Sequence, residues 1–248
     1  MAALRIGTVY VGGGAIKGGH LQDEDFPPIF FPFPPFVSNA YSSTTSDQRN
    51  GSLVYASVDA GYDVVRGGSY RIGTFVGYHY LDETVKAFGC TQTAASPLIC
   101  QPSIPTSVAV ITQDNTWHAL RLGLDGSVFL GDRFVLSADA AWLPYVHLNG
   151  TDNHLLRPDL PGGIREDGTG HGYQLEAVLS YKISPFSSVG LGGRYWHMQS
   201  NGQAHFESVG GLPQPESWKN DIFGVFVQGS IMFGVYPDAD LGPPHSNF

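Results

Sequence analysis

Apolar side chains in this chain recur every second residue over long stretches, a spacing that fits extended strands and not helices. From His118 to Leu130, one face carries His118, Leu120, Leu122, Leu124, Gly126, Val128 and Leu130, and the other carries Ala119, Arg121, Gly123, Asp125, Ser127 and Phe129. Tyr173 to Ile183 and Phe134 to Leu143 alternate in the same way. Eight such segments begin near Leu4, Leu53, Tyr70, Trp117, Phe134, Gly172, Ser188 and Asp221. Several exceed an ordinary globular strand and match the roughly 9–11 residues that a tilted strand needs to cross a bilayer.

The connections alternate too. Asp63–Gly68, Gly131–Arg133 and Ser184–Ser187 are short, whereas Ala15–Asn50, Glu83–Asp114, Asn149–His171 and Asn201–Asn220 are long. In an up-and-down meander, every second connection emerges at the same end. Short turns at one end and long loops at the other are the pattern of an outer-membrane barrel. A soluble sandwich would alternate as well, but its inward face would be the apolar one. Here Arg71, Arg121, Asp125, Glu176, Lys182 and Arg194 fall in mid-strand on the face opposite the apolar one. The fold class expected is therefore all-β, an up-and-down antiparallel transmembrane β-barrel over residues 1–233, followed by a polar C-terminal tail at 234–248.

Composition narrows the alternatives. No window approaches the ~20 uninterrupted apolar residues of a membrane helix, and the stretch Pro27 to Val37 is broken by five prolines. Charged residues are 14% of the chain, below the roughly 25% of soluble domains. A net charge of −9 with no basic stripe excludes nucleic acid as a partner. The two cysteines, Cys90 and Cys100, share one polar loop and are expected to form a disulfide in an oxidising compartment rather than remain free thiols. Met1 is followed at once by a strand-like run, so a leader is expected to be missing from this chain. No spacing among the histidines reads as a metal site, and no cofactor is expected.

Two polar constellations fall at the long-loop end. Asp23-Glu24-Asp25 follows the glycine-rich run Gly12–Gly19, and Asp152-Asn153-His154 follows the strand containing Trp142 and Tyr145. In extended backbone, residues i and i+2 face the same way. Asp23 and Asp25 then make a carboxylate pair, and Asp152 and His154 an acid–imidazole pair. A carboxylate fixes the tautomer of a neighbouring imidazole and favours its protonated form. Such a histidine can take a proton from a water held by a second polar group. Taken alone, acidic loop residues are mostly solvated surface and Asp-x-His is common by chance.

A resemblance raises the catalytic reading. The run LRIGTVYVGGGAIKGGHLQDEDF resembles the omptin family of outer-membrane endopeptidases at the strand and loop leading into its Asp-x-Asp-Trp motif. YRIGTFVGYHY is similar to a later omptin strand, and LNGTDNHL to the strand end bearing the family's Asp-x-His dyad. The similarity spreads over nearly the whole chain, thinly outside these stretches. Omptins are ten-stranded barrels, of which about eight strands are expected here, the match beginning at the family's third. The resemblance implies Asp23 and Asp25 on one wall of an outward-facing cleft and Asp152 and His154 on the other. A water between them would attack a peptide carbonyl without metal or covalent intermediate. Outer-membrane lipid and a polypeptide substrate are the partners implied.

This chain departs from the family in three places. Phe26 stands where the family has tryptophan. Gly150 stands where an acid of the basic-specificity pocket is found, which puts that specificity in doubt. Tyr78, Tyr80 and Asp82 keep only the tyrosine of the pattern that grips lipopolysaccharide. The competing reading is a non-enzymatic barrel, an adhesin or structural protein. A small-solute pore is weaker, because side chains fill a barrel of about ten strands.

Overall fold

The computed structural model describes residues 3–25, 41–94, 99–158, 160–206 and 211–233; the side chains of residues 3–6 and 25 lie outside that description. Ten strand segments form one antiparallel sheet. They are β1 (Ala3–Ile16), β2 (Gly19–Asp25), β3 (Ser42–Gln48), β4 (Gly51–Arg66), β5 (Tyr70–Gln92), β6 (Ile104–Leu130), β7 (Phe134–His154), β8 (Ile164–Ser184), β9 (Ser187–His205) and β10 (Gln214–Ile231). Eight lie on one continuous path, β1-β4-β5-β6-β7-β8-β9-β10. β2 and β3 pair with each other, and β3 also pairs with the upper part of β5. The sheet is thus an up-and-down meander whose first two long strands are each interrupted once, at Lys17-Gly18 and at Arg49-Asn50.

The wall is curled right round. β4 and β9 stand five strand spacings apart on the path, roughly 24 Å in a flat sheet. Yet Arg194 on β9 donates to the Tyr55 hydroxyl on β4 at 2.8 Å, and the rings of His79 and Trp196 lie 4.8 Å apart. Among the described residues no ladder joins β1 to β10, so each presents one unpaired edge, as the eight-strand reading expects.

Polarity is inverted relative to a soluble barrel. Leu124, Trp142, Leu175, Leu191, Val225 and Val227 point outward and are exposed. The lumen holds ion pairs instead. Arg121 meets Asp59 at 2.7 Å and Asp139 at 3.3 Å, Arg71 meets Asp125 at 3.3 Å, and Arg194 meets Glu176 at 3.7 Å. Rings complete the set: Lys182 stands 5.0 Å over Phe129, Arg121 5.0 Å over Phe75 and Arg194 3.9 Å over Phe226. Gly77, paired with Asp59 in register, makes the Arg121 contact possible: a Cβ there would meet Asp59 Oδ1 at 1.8 Å. Above these pairs, Leu81, Trp117, Leu143, Val146, Leu148, Trp196 and Met198 form a buried apolar plug.

The strands run well beyond the segments that alternation marks. The expected long connections Glu83–Asp114, Asn149–His171 and Asn201–Asn220 are mostly ladder, and the true joints are residues 93–103, 155–163 and 206–213. Hydrophobic alternation vanishes where both faces become polar, but backbone pairing continues. The short joints at 67–69, 131–133 and 185–186 lie where expected. Cys90 and Cys100 are disulfide-bonded, with Cα atoms 5.7 Å apart, across one of the longer joints.

Candidate active site at the upper end of the sheet

The inward face of upper β7 carries Val146, Leu148, Gly150, Asp152 and His154 in two-residue steps, which brings the last two side by side. His154 Nε2 donates to Asp152 Oδ2 at 3.0 Å. That hydrogen bond raises the imidazole's pKa above its ordinary value, burial opposes it, and the charges of Asp152 and Asp23 add to the rise. Asp23 lies on β2, on the same half-buried face as Leu21, close enough to act on His154 through space. Asp25 pairs with Ser42 through its backbone, its side chain lying outside the described residues. Phe26 and the tail 234–248 also lie outside them.

Beneath the dyad, one residue per strand forms a transverse row. Glu83 on β5 pairs in register with Asn115 on β6, Asn115 with Gly150 on β7, and Gly150 with Glu166 on β8. Glu83 accepts from Trp117 Nε1 at 2.9 Å and from Asn220 Nδ2 at 2.7 Å. Glycine at position 150 lets its neighbours converge: a Cβ there would meet Asn115 Oδ1 at 2.4 Å and Glu166 Oε2 at 3.3 Å. The space of a side chain at 150 is filled from the flanking strands.

Sequence reading assigned Glu166 to a loop and gave it no role. In the structure it is 1% exposed, and burial raises its pKa to about 9, with Glu216, Asp152 and Asp23 reinforcing the rise. The Trp218 indole opposes this only in part. Parity could have placed it: counting back by twos from Gln174 along β8 gives Gly172, Gly170, Gly168 and Glu166 on the inward face. Tyr78 and Tyr80 lie on the outward side with His118, and Tyr80 donates to Asp82 at 3.5 Å. Among the described residues no cluster of three or more histidine, cysteine or acidic side chains could hold a metal ion.

No protein-family model and no curated protein sequence matches the chain. Among solved structures it is similar to the outer membrane protease OmpT from Escherichia coli. The superposition covers 90% of this chain and 79% of that one, with a TM-score of 0.54 and 16% sequence identity. The fold is that of an outer-membrane β-barrel. At this identity the likeness speaks for architecture alone.

Proposed function

We propose that this protein is an outer-membrane endopeptidase, omptin-like in chemistry as well as in shell, with its cleft facing outward. The single observation that carries this reading is the Asp152–His154 hydrogen bond at 3.0 Å, set inward at the long-joint end of the sheet with Asp23 acting on it. His154 takes a proton from water, Asp152 orients and stabilises the imidazolium, and the hydroxide attacks a peptide carbonyl; as the tetrahedral intermediate collapses, the C–N bond breaks and the proton passes to the leaving amine. Asp23 is assigned to hold the water from the other side, and Asp25 shares that role only as the omptin resemblance implies. The exposed leucine, valine and aromatic face supports a lipid environment, because water would disfavour so continuous an apolar surface. Lipopolysaccharide is a partner to include in the assay, although the family's gripping pattern is not retained at Tyr78, Tyr80 and Asp82.

The test is cleavage of a peptide library by the folded protein in lipopolysaccharide-containing detergent. Cleavage that His154→Ala abolishes supports the enzyme. A library left intact, or one cut equally well by His154→Ala, makes the protein a non-catalytic barrel, the adhesin or structural alternative.

A further inference from the structure

The floor of the cleft is rich in acceptors and poor in donors. Asp152 Oδ1, Glu166 Oε2 and Asn115 Oδ1 are all buried, and none has a hydrogen-bond partner among the described residues. Trp218 Nε1, beside Glu166, likewise makes no hydrogen bond of regular geometry. Buried acceptors left this way carry the cost of lost hydration with nothing to offset it. Asp152 and Glu166 are inward-facing diagonal neighbours, because Gly150 pairs with Glu166 and Asp152 with Ile164. Such neighbours stand roughly 7–8 Å apart at the backbone, within reach of a long side chain. Two carboxylates this close resist double ionisation, and a protonated carboxyl turns one acceptor into a donor.

We propose that Glu166 holds a proton and donates it in a hydrogen bond towards Asp152, forming a carboxyl–carboxylate couple whose single negative charge is aimed at His154. Asp152 offers two oxygens; Oδ2 is engaged by His154, and Oδ1 is the one left for Glu166. Glu166 is thus a positioning residue: it touches neither water nor substrate, and it fixes the carboxylate that fixes the imidazole. The proton stays on Glu166 throughout, so no atom is transferred. The groups facing Glu166 agree with this. Asp152 comes from β7, Glu216 and Trp218 from β10, and Asp23 from β2, while Asn115 of β6 and Ala204 of β9 do not titrate. Burial raises the Glu166 pKa to about 9, and the three acidic groups among them all add to the rise.

The consequence for turnover rests on the protease reading; the proton itself does not. The experiment is therefore done twice on the full chain in detergent micelles. First, the Glu166 carboxyl and the His154 ring are titrated by NMR. The expected result is a Glu166 carboxyl that ionises well above the ordinary glutamate range. A second inflection of His154 should occur at that same pH and be absent in Glu166→Gln. A Glu166 carboxyl titrating in the ordinary range overturns the proposal, and that measurement needs no variant to fold. An inflection persisting in Glu166→Gln overturns it as well. Second, peptide cleavage is followed against pH. The parent should lose turnover above about pH 9, and Glu166→Gln, a permanent donor, should not. Glu166→Ala should lower kcat about 10–100-fold, the worth of one hydrogen bond to a charged group, with little change in KM. If NMR gives the expected titration while no peptide is cut, the protease reading falls and the proton assignment stands. If peptides are cut and the inflection is missing, the reverse holds.

Discussion

Asn220 of β10 donates its side-chain N–H to Glu83 of β5 at 2.7 Å, across the lumen and across 137 residues of chain. Trp117 donates to the same oxygen. A carboxyl group 3% exposed is thereby held from two walls of the sheet, and the row beneath the dyad acquires a fixed origin.

Asn220→Ala should lower stability by about 1–3 kcal/mol, because a buried acidic group loses a donor. Asn220→Asp should be worse, since it sets a second carboxyl against the first. Denaturant titration of the micellar protein, followed by tryptophan fluorescence, reads both.

Arg121 lies between Asp59 and Asp139. Arg121→Ala removes the cation paired with both carboxylates and should cost about 3–5 kcal/mol. Gly77→Ala should injure the same contact by a different route, since its Cβ falls on Asp59. If Gly77→Ala refolds with the parent's unfolding midpoint, the close approach of β5 to Asp59 is wrong.

His154→Ala should reduce turnover by on the order of 10²–10⁴, the range of a general base. The sign of its pH dependence follows from the hydrogen bond to Asp152, which raises the imidazole pKa. A base works unprotonated, so the acid limb of the rate profile should lie above the ordinary histidine value. Asp152→Asn should move that limb downward. In stability the pair works the other way. The imidazolium's contribution is fully present below the unfolded-state pKa and is lost as pH rises through the folded-state value.

Glu166 has a linkage of the same sign. Its pKa is raised to about 9, so the folded state keeps a proton that the unfolded chain releases at ordinary glutamate pH. Stability should decline as pH climbs from the ordinary glutamate range towards 9. In Glu166→Gln that part of the slope should be absent. Unfolding midpoints of the two proteins at pH 5, 7 and 9 decide it.

Reduction of Cys90–Cys100 should cost on the order of 2–3 kcal/mol by the chain-entropy argument for a loop of this length. The loss should be confined to the upper ends of β5 and β6. Hydrogen exchange before and after reductant should speed at Ala87–Gln92 and leave Tyr70–Tyr80 unchanged.

Period-two alternation identified the lower halves of the strands because lipid-facing and lumen-facing positions differ sharply there, as Leu122 and Arg121 do. It failed above Trp117, where neighbours such as Asn115 and Asp114 are both polar and only backbone pairing continues. The Asp152–His154 pair was legible because both residues lie on one strand, two apart. The row Glu83–Asn115–Gly150–Glu166 was not, since each residue comes from a different strand and register is invisible in a single sequence. Gly150 shows the difference most plainly. Read alone it is a lost acid, and read with its neighbours it is the gap through which Asn115 and Glu166 converge.

Because the dyad and the row beneath it stand on laddered strands, backbone pairing sets their register. Apart from Arg157, whose backbone bonds the His154 carbonyl and whose charge acts on the imidazole, changes at the rim should leave the register of the polar floor as the ladders set it. A protein built this way separates what it does from what it displays. New recognition surfaces can be grafted at the rim, by selection or by design, without re-aligning the residues below.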